Sequence, residues 1–493
     1  MIRLSVILLS LLLLLYPTAP TQAQAKIKAA LPFAYTLDPT EDVYNEQISR
    51  KTRPLSATEF VVLQKQGQSE YSVDKYTDNL KKAWSAKVPV AGVETVIAFI
   101  RAKDAVLVIT HRDNGQGSQQ LHGHQINLAT GATEKSLMLL EAPMTFRKAN
   151  VAASEDGGRL LAYQYQTDQN QQITNIRGHL YDSQLTKIKD TNYTLGDLST
   201  IFSADIQLSS NGDQYVSLIS DNMQRLTVRR YTLAGATPKS LSVLAGGATG
   251  GNKLYILDGK YKLLPDGKLF GAVLTADEKT AVYHSLRTIK FDFEAEDMIF
   301  AEEFKFTPAY LESVNNMGKV RGVVAERLED IYLSEILMTS ENRLIVLAEK
   351  KFAAGGENAP YFGLELHLFA YNDVLNVSWN SVVMKQQEAP ASQGFSGISY
   401  KANLSGNTLL SGNTLQLLTL EQLNGKHDLF LRSINTVTGA AKAPVALGLG
   451  VAKGSEVPYI KSFTAWLTEK ELVTIARTAK ASSSLQLLRL TLK

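Results

Sequence analysis

Cysteine is absent from all 493 residues of the chain. Disulfides, thiolate metal sites, iron–sulfur clusters and cysteine nucleophiles are therefore excluded. The chain also cannot carry the lipidated N-terminal cysteine of a bacterial lipoprotein. A chain of this length can bury a core that is large enough to fold without covalent cross-links.

An excess of one charge sign is also missing. The chain has 51 Lys and Arg against 48 Asp and Glu, and no long run carries a single sign. Nucleic-acid-binding proteins and polybasic membrane anchors show clustered positive charge. We therefore expect no nucleic-acid partner, and recognition that depends on local groups.

Long apolar segments are lacking after the N-terminus. Residues 4–15 are almost wholly apolar, follow Arg3 and precede the triplet Ala23-Gln24-Ala25. This pattern predicts a signal peptide at residues 1–25 with cleavage after Ala25. An uncleaved anchor is the alternative, but a bilayer span needs ~20 apolar residues. We expect a periplasmic or secreted protein without stable membrane insertion, and the missing disulfides favour a bacterial envelope.

What the chain does contain is a unit that recurs about eight times after residue 55. Each copy reads as an apolar strand, a tight polar turn, a second apolar strand, a polar loop and an alternating third strand. The clearest copy spans residues 201–245, with the hairpin turn at Asn211-Gly212. The third strands end at Tyr76, Ile126, Tyr181, Tyr231, Phe291, Tyr371, Ile434 and about Leu490. Repeats of this length with several strands each predict an all-β fold, a β-propeller of four-stranded antiparallel blades.

The number of blades and the closure of the ring follow from the ends of the repeat region. We favour eight blades over residues 56–493; seven are possible because the first strand near residues 56–88 is poorly defined. The last copy, residues 462–493, has only three strands. A strand from residues 26–55 is needed to complete it, and residues 29–37 are the expected donor. The long connection 308–330, a short helix or an extended arm, is the main elaboration.

Two turns resemble a known repeat family. Asn127 to Lys135 and Asn435 to Lys442 each contain a Thr-Gly pair, and both resemble the outer turn of quinoprotein-like (PQQ-like) propeller repeats. That family also places a tryptophan on the fourth strand. Trp84 and Trp379 lie near that place, in units without the Thr-Gly pair. The resemblance implies blade geometry and not quinone binding, so we expect no cofactor.

Three histidines have a spacing that metal sites use. His111 ends a second strand, and His122 and His124 begin the next. Residues two apart share a strand face, and three histidines can bind zinc. The alternative is blade packing, because His124 aligns with His179 of the next unit. The metal site is a hypothesis on these residues.

Acidic residues recur in the loops between second and third strands. Asp113, Asp168, Asp221 and Asp277 are the main candidates, and Tyr361 is a possible aromatic contact. These loops share one face of a propeller, so they could line the channel mouth and bind sugar hydroxyls or a cation. The alternative is that hairpin loops favour Asp because of their turn conformations.

No sequence motif identifies a reaction. A Gly-x-Ser-x-Gly elbow is absent, and the Gly-rich loop 113–117 does not precede a helix, as a phosphate site requires. We expect a non-enzymatic binding or interaction scaffold in a bacterial envelope, with an envelope protein or glycan as partner. The alternative is a glycan-active hydrolase or lyase with carboxylates converging at the channel mouth.

Overall fold

Eight antiparallel sheets, each built on four strands, are arranged as the blades of a ring. The predicted propeller fold and the favoured blade number are confirmed. The structure is a computed structural model. It describes residues 25–36, 48–67, 70–92, 94–235, 237–246, 253–318, 325–355, 359–389, 404–451, 453 and 457–493. The predicted signal peptide therefore lies outside the described residues, except for Ala25.

The strands of the first half follow the order of the repeat. Strand β1 (Ala25–Pro32) precedes the first blade. Blades 1 and 2 contain β2 (Thr52–Pro54), β3 (Phe60–Gln66), β4 (Glu70–Tyr76), β5 (Lys82–Lys87), β6 (Glu94–Arg101), β7 (Ala105–Asp113), β8 (Ser118–Asn127) and β9 (Thr133–Pro143). Blades 3 and 4 contain β10 (Asn150–Ala153), β11 (Arg159–Thr167), β12 (Ile173–Asp182), β13 (Lys187–Thr194), β14 (Ser203–Leu208), β15 (Gln214–Ser220), β16 (Arg225–Tyr231) and β17 (Lys239–Leu244).

The second half carries the elaborated connection. Blade 5 contains β18 (Leu254–Leu263), β19 (Leu269–Asp277), β20 (Tyr283–Asp292), β21 (Asp297–Phe300) and β22 (Phe304–Lys305), and helix α1 (Pro308–Gly318) follows it. Blade 6 contains β23 (Ile331–Met338), β24 (Leu344–Ala353), β25 (Tyr361–Tyr371), β26 (Val377–Val383) and β27 (Gln387–Ala389). Blades 7 and 8 contain β28 (Asn407–Ser411), β29 (Thr414–Leu423), β30 (Lys426–Asn435), β31 (Val445–Ala446), β32 (Tyr459–Trp466), β33 (Glu471–Thr478) and β34 (Ala481–Leu492).

The first strand of each blade lies towards the ring axis. First strands of neighbouring blades contact each other, as β10 does with β14 and β18 does with β23. Second strands are buried on both faces, and β15 is buried along its whole length, because each blade is covered by a neighbour on either side. Fourth strands such as β17 alternate between exposed and partly exposed residues. Eight apolar clusters fill the eight interfaces between blades.

The ring is closed by the N-terminal strand. β1 pairs antiparallel with β34, from Ala25 opposite Leu492 to Pro32 opposite Gln486. The closing strand therefore begins four residues before the expected stretch 29–37. Pro32 stands at its end, where a missing N–H group costs least. Within the described part of the chain, no helix has the length and apolar character to cross a membrane.

Two tryptophans dock neighbouring blades. Trp84 of blade 1 packs on Gly131 of blade 2 and donates from Nε1 to Leu128 O (3.3 Å). Trp379 of blade 6 packs on Gly439 of blade 7 in the same way and donates to a turn carbonyl at 2.9 Å. The tryptophan and the Thr-Gly pair thus belong to adjacent units. This explains why no single unit of the sequence contains both.

Gly439→Ala should lower the thermal unfolding midpoint more than Gly425→Ala. Both glycines have φ of +75°, so both variants carry the same backbone penalty. An added Cβ at Gly439 would lie 2.5 Å from the Trp379 ring, whereas at Gly425 it would meet nothing within 4 Å. We expect an additional loss of about 1–3 kcal/mol at Gly439 from overpacking. Equal midpoints for the two variants would contradict the docking role.

Candidate functional site

A cavity of about 370 Å³ lies at the centre of the ring. This volume is within the ~300–1,000 Å³ that small-molecule sites occupy. First strands or the segments next to them provide its wall, from blades 1, 5, 6, 7 and 8. Its polar and charged lining residues are Ser49, Arg50, Thr52, Arg53, Lys260, Ser334, Glu335, Asn407, Thr408, Lys461, Thr464 and Trp466.

β-Bulges shape the first strands around this cavity. The register of β18 shifts between Ile256 and Asp258, and that of β23 shifts between Leu333 and Glu335. In β32 the pairing is interrupted between Ile460 and Ala465. A bulge leaves a residue out of the ladder and changes the direction of the side chains beside it. The interruptions coincide with the residues that blades 6 and 8 contribute to the cavity wall.

Positive charge dominates the cavity wall. Four cationic side chains, Arg50, Arg53, Lys260 and Lys461, line it together with one carboxylate, Glu335. Burial, followed by the nearby Arg50, lowers the pKa of Arg53 to about 10, so this group remains charged at neutral pH. Glu335 Oε2 accepts a hydrogen bond from a threonine hydroxyl of blade 7 at 3.0 Å.

A buried ion-pair network lies behind this wall. Glu349 forms an ion pair with Lys385 and lies 3.6 Å from Lys351 Nζ. The Ser405 N–H donates to Glu349 Oε2 at 2.9 Å, which joins blade 6 to the segment before blade 7. Burial opposes ionisation of Glu349, but the two lysines outweigh it and lower the pKa of the carboxyl. Burial lowers the pKa of Lys351 to about 8, against the effect of Glu349.

Two buried donors at the cavity lack a partner within the described structure. Thr52 Oγ1 and Trp466 Nε1 make no hydrogen bond there, although both atoms are inaccessible to solvent. Thr52 is only 2% exposed. An unsatisfied buried polar group costs about 1–3 kcal/mol, so such groups call for an explanation. Both residues line the cavity, so a polar ligand there would reach these donors after a change of side-chain rotamer.

Two further carboxylates lie on first strands of neighbouring blades. Asp258 of blade 5 accepts hydrogen bonds from the Gly259 and Leu333 N–H groups, both at 2.8 Å. Burial raises its pKa to about 6, with the two N–H groups and Lys260 opposing. Burial also raises the pKa of Asp205 in blade 4. The sequence analysis singled out neither residue, although a carboxyl group on the first strand of a blade was a usable signal.

The predicted loop aspartates stabilise their own turns. Asp113 Oδ1 accepts from the N–H two residues ahead at 2.9 Å, and Asp168 Oδ1 does so at 2.8 Å. Asp277 accepts the N–H and hydroxyl of Thr280, both at 2.9 Å, and Asp221 forms an ion pair with Arg225. None of the four lines the central cavity, and neither does Tyr361, which lies at the start of β25.

The three histidines do not form one site. His122 pairs across the strands with Thr110, so His111, the next residue after Thr110, points to the opposite face of the blade. His111 Nε2 lies 2.8 Å from a glutamine oxygen, and His124 Nδ1 lies 3.0 Å from Ser136 Oγ. The described residues contain no group of three or more His, Cys, Asp or Glu that could hold a metal. The predicted arrangement failed because it ignored the register of the hairpin.

Comparison with known proteins shows no family for this chain. No family model and no curated protein matches the chain. The polysaccharide lyase Uly1 is 12% identical, with 80% of this chain and 89% of that chain covered and a TM-score of 0.40. The periplasmic gluconolactonase PpgL of Pseudomonas aeruginosa is 13% identical, with 67% of this chain and 85% of that chain covered and a TM-score of 0.36. The WD40 domain of SCAP from fission yeast is 9% identical, with 94% of this chain and 98% of that chain covered and a TM-score of 0.39.

Asp258→Asn should change stability more favourably at pH 7 than at pH 4. The two backbone N–H groups donate to different oxygens of Asp258, so the amide keeps an acceptor for one of them, and the loss of the other hydrogen bond costs the same at both pH values. The pKa of Asp258 rises from 3.8 to about 6 on folding. Its favourable contribution to the stability of the fold is therefore complete below pH ~4 and is lost as the pH rises through ~6. We expect the stability of the variant relative to wild type to rise by about 2–3 kcal/mol from pH 4 to pH 7, measured as thermal unfolding midpoints at both pH values. The same difference at pH 4 and pH 7 would contradict the raised pKa.

Proposed function

We propose that this protein is a non-enzymatic binding module of a bacterial cell envelope, with the central cavity as its ligand site. The signal-peptide pattern of residues 1–25 supports the location. The observation that carries the proposal is the pair of buried, unsatisfied donors, Thr52 Oγ1 and Trp466 Nε1, in the cavity wall. The partner that we favour is an envelope glycan, and an envelope protein is the alternative.

The composition of the cavity wall favours binding over catalysis. Glycoside hydrolysis usually needs two carboxyl groups on either side of the scissile bond. Glu335 is the sole carboxylate among the described residues that line the cavity. Hydroxyl, amide and indole groups are numerous there instead, and these groups bind and orient a polar ligand without reacting. The proposed role is therefore recognition by a rigid ring.

Thr52→Val should weaken ligand binding while the fold is retained. The substitution removes the unsatisfied hydroxyl and keeps the shape of the side chain. We expect affinity for a ligand found in a thermal-shift screen of envelope sugars to fall about 2- to 10-fold, the value of one hydrogen bond. Trp466→Phe should act in the same direction. Titration calorimetry on the chain from residue 26 onward measures both.

Thr436→Val is the matched control for this test. Thr436 Oγ1 is also buried and without a partner in the described structure, and Thr436 lies in the outer turn of blade 7. Its replacement should leave ligand affinity unchanged. If Thr52→Val and Thr436→Val behave alike, the cavity is not the site. If no small molecule binds, an envelope protein captured on the immobilised ring becomes the partner to identify.

A glycan-active enzyme is the second candidate, favoured by Asp205 and Asp258. Both stand on first strands of adjacent blades, and each contributes to raising the pKa of Tyr261 after burial. A carboxylic acid with a raised pKa is suited to donate a proton at neutral pH. On this hypothesis, Asp205→Asn and Asp258→Asn would each abolish cleavage of an envelope polysaccharide. Full activity in either variant, or no cleavage by the wild type, would rule it out.

A further inference from the structure

We propose that the ligand of the central cavity is an anionic sugar, whose carboxylate or phosphate faces the cationic side chains and whose hydroxyls meet the neighbouring polar groups. This inference rests on the proposed function, because it names the ligand class for the same site. It adds a charge requirement that a neutral sugar does not meet.

The charge balance of the wall supports an anionic ligand. Blade 1 and the segment before it supply Arg50 and Arg53, blade 5 supplies Lys260 and blade 8 supplies Lys461, whereas Glu335 is the opposing carboxylate among the lining residues. Like charges that share a small space away from bulk water repel one another more strongly than they do in water. An anion between them removes part of that repulsion. A cationic ligand would add to it.

The positive field extends behind the wall. After burial, Lys461, Lys385 and Lys260 all lower the pKa of Lys351, whose Nζ lies 3.4 Å from Ser334 Oγ of the lining. The buried carboxylate in this region, Glu349, is already paired with Lys385 and close to Lys351. It therefore does not neutralise the lining cations. Asp258 and Asp205 are further carboxyl groups near Lys260, and burial raises the pKa of both. The carboxylate of Asp258 also accepts two backbone N–H groups.

The uncharged part of the wall suits a sugar better than a bare inorganic anion. Thr52, Thr464, Asn407 and Ser334 bring hydroxyl and amide groups to the cavity, and Trp466 brings an indole ring with an unsatisfied N–H. Tryptophan combines an apolar face with a polar edge, which matches the alternating surfaces of a pyranose. Asn407, Thr464 and Ser334 already hydrogen-bond to protein groups. An inorganic ion would still leave Thr52 Oγ1 and Trp466 Nε1, which have no partner in the described structure, unsatisfied.

The test compares three ligands with the same ring: galacturonate, galactose 1-phosphate and galactose. Titration calorimetry on the chain from residue 26 onward should show at least one of the two anions binding more than 10-fold tighter than galactose. The preferred anion distinguishes a carboxylate from a phosphate source. Affinity for that anion should also fall as salt concentration rises.

Two substitutions of opposite sign give the sharper test. Arg50→Gln removes a cation on an exposed residue of the lining, and it should weaken anion binding about 3- to 10-fold. Glu335→Gln removes the lining carboxylate but keeps an oxygen that can accept from Thr408, and it should tighten anion binding. Arg327→Gln, on a side chain that is 61% exposed and outside the cavity lining, is the matched control and should change nothing. Galactose binding should be insensitive to all three.

The outcomes separate the charge requirement from the proposed function. If galactose binds as tightly as both anions and its affinity falls in Thr52→Val, the cavity binds a neutral sugar. The charge requirement is then overturned, and the proposed ligand site stands. If Arg50→Gln and Glu335→Gln shift anion affinity in the same direction, the charge proposal is also overturned. If none of the three ligands binds, this inference fails, and the wider thermal-shift screen then decides whether the cavity binds any small molecule.

Discussion

The closure of the ring between blade 8 and blade 1 is the constraint on which the rest of the structure depends. Each blade buries both faces against its neighbours, so an open ring would expose two apolar faces and an unpaired strand edge. The seam is the junction between blade 8 and blade 1. Besides the pairing of β1 with β34, a buried arginine stabilises this seam. Arg489 donates to Ala57 O (2.9 Å) and forms ion pairs with Glu471 (2.6 Å) and Asp78 (2.8 Å). Because Arg489 is only 1% exposed, loss of both carboxylates would leave a buried charge unpaired.

Closure also decides where the ring can hold a site. The first strands of blades 3 and 4, β10 and β14, pair with their neighbours without a register shift, and neither lines the cavity. In contrast, β18, β23 and β32 are bulged, and each contributes to the cavity wall. Blade 2 is bulged without lining it. Strands β2 and β28 line the cavity without a register shift, so bulges shape only part of its wall.

The fold was predictable because its signals are local. A third strand needs a regular alternation and a terminal turn, and the predicted ends at Tyr76, Tyr231 and Tyr371 are the ends of β4, β16 and β25. The site was not predictable, because Arg50 and Trp466 meet only once the ring is closed. A bulge also interrupts the alternation of residues between the two faces of a strand. The sequence pattern therefore does not show that Glu335 belongs to the cavity wall. The histidine error was avoidable, since pairing Thr110 with His122 would have separated His111 from the other two.

The seam and the cavity are parts of the same structure. Thr52 and Arg50 come from blade 1 and the segment before it, whereas Lys461 and Trp466 come from blade 8, and the Lys51 N–H donates to Ser462 O (2.6 Å) between them. The cavity therefore extends across the junction where the two ends of the ring meet. Cations gathered there oppose closure by mutual repulsion, while the apolar clusters on either side favour it. A ligand that contacts both blades stabilises the closed ring by its binding free energy, so occupancy and ring integrity are thermodynamically linked.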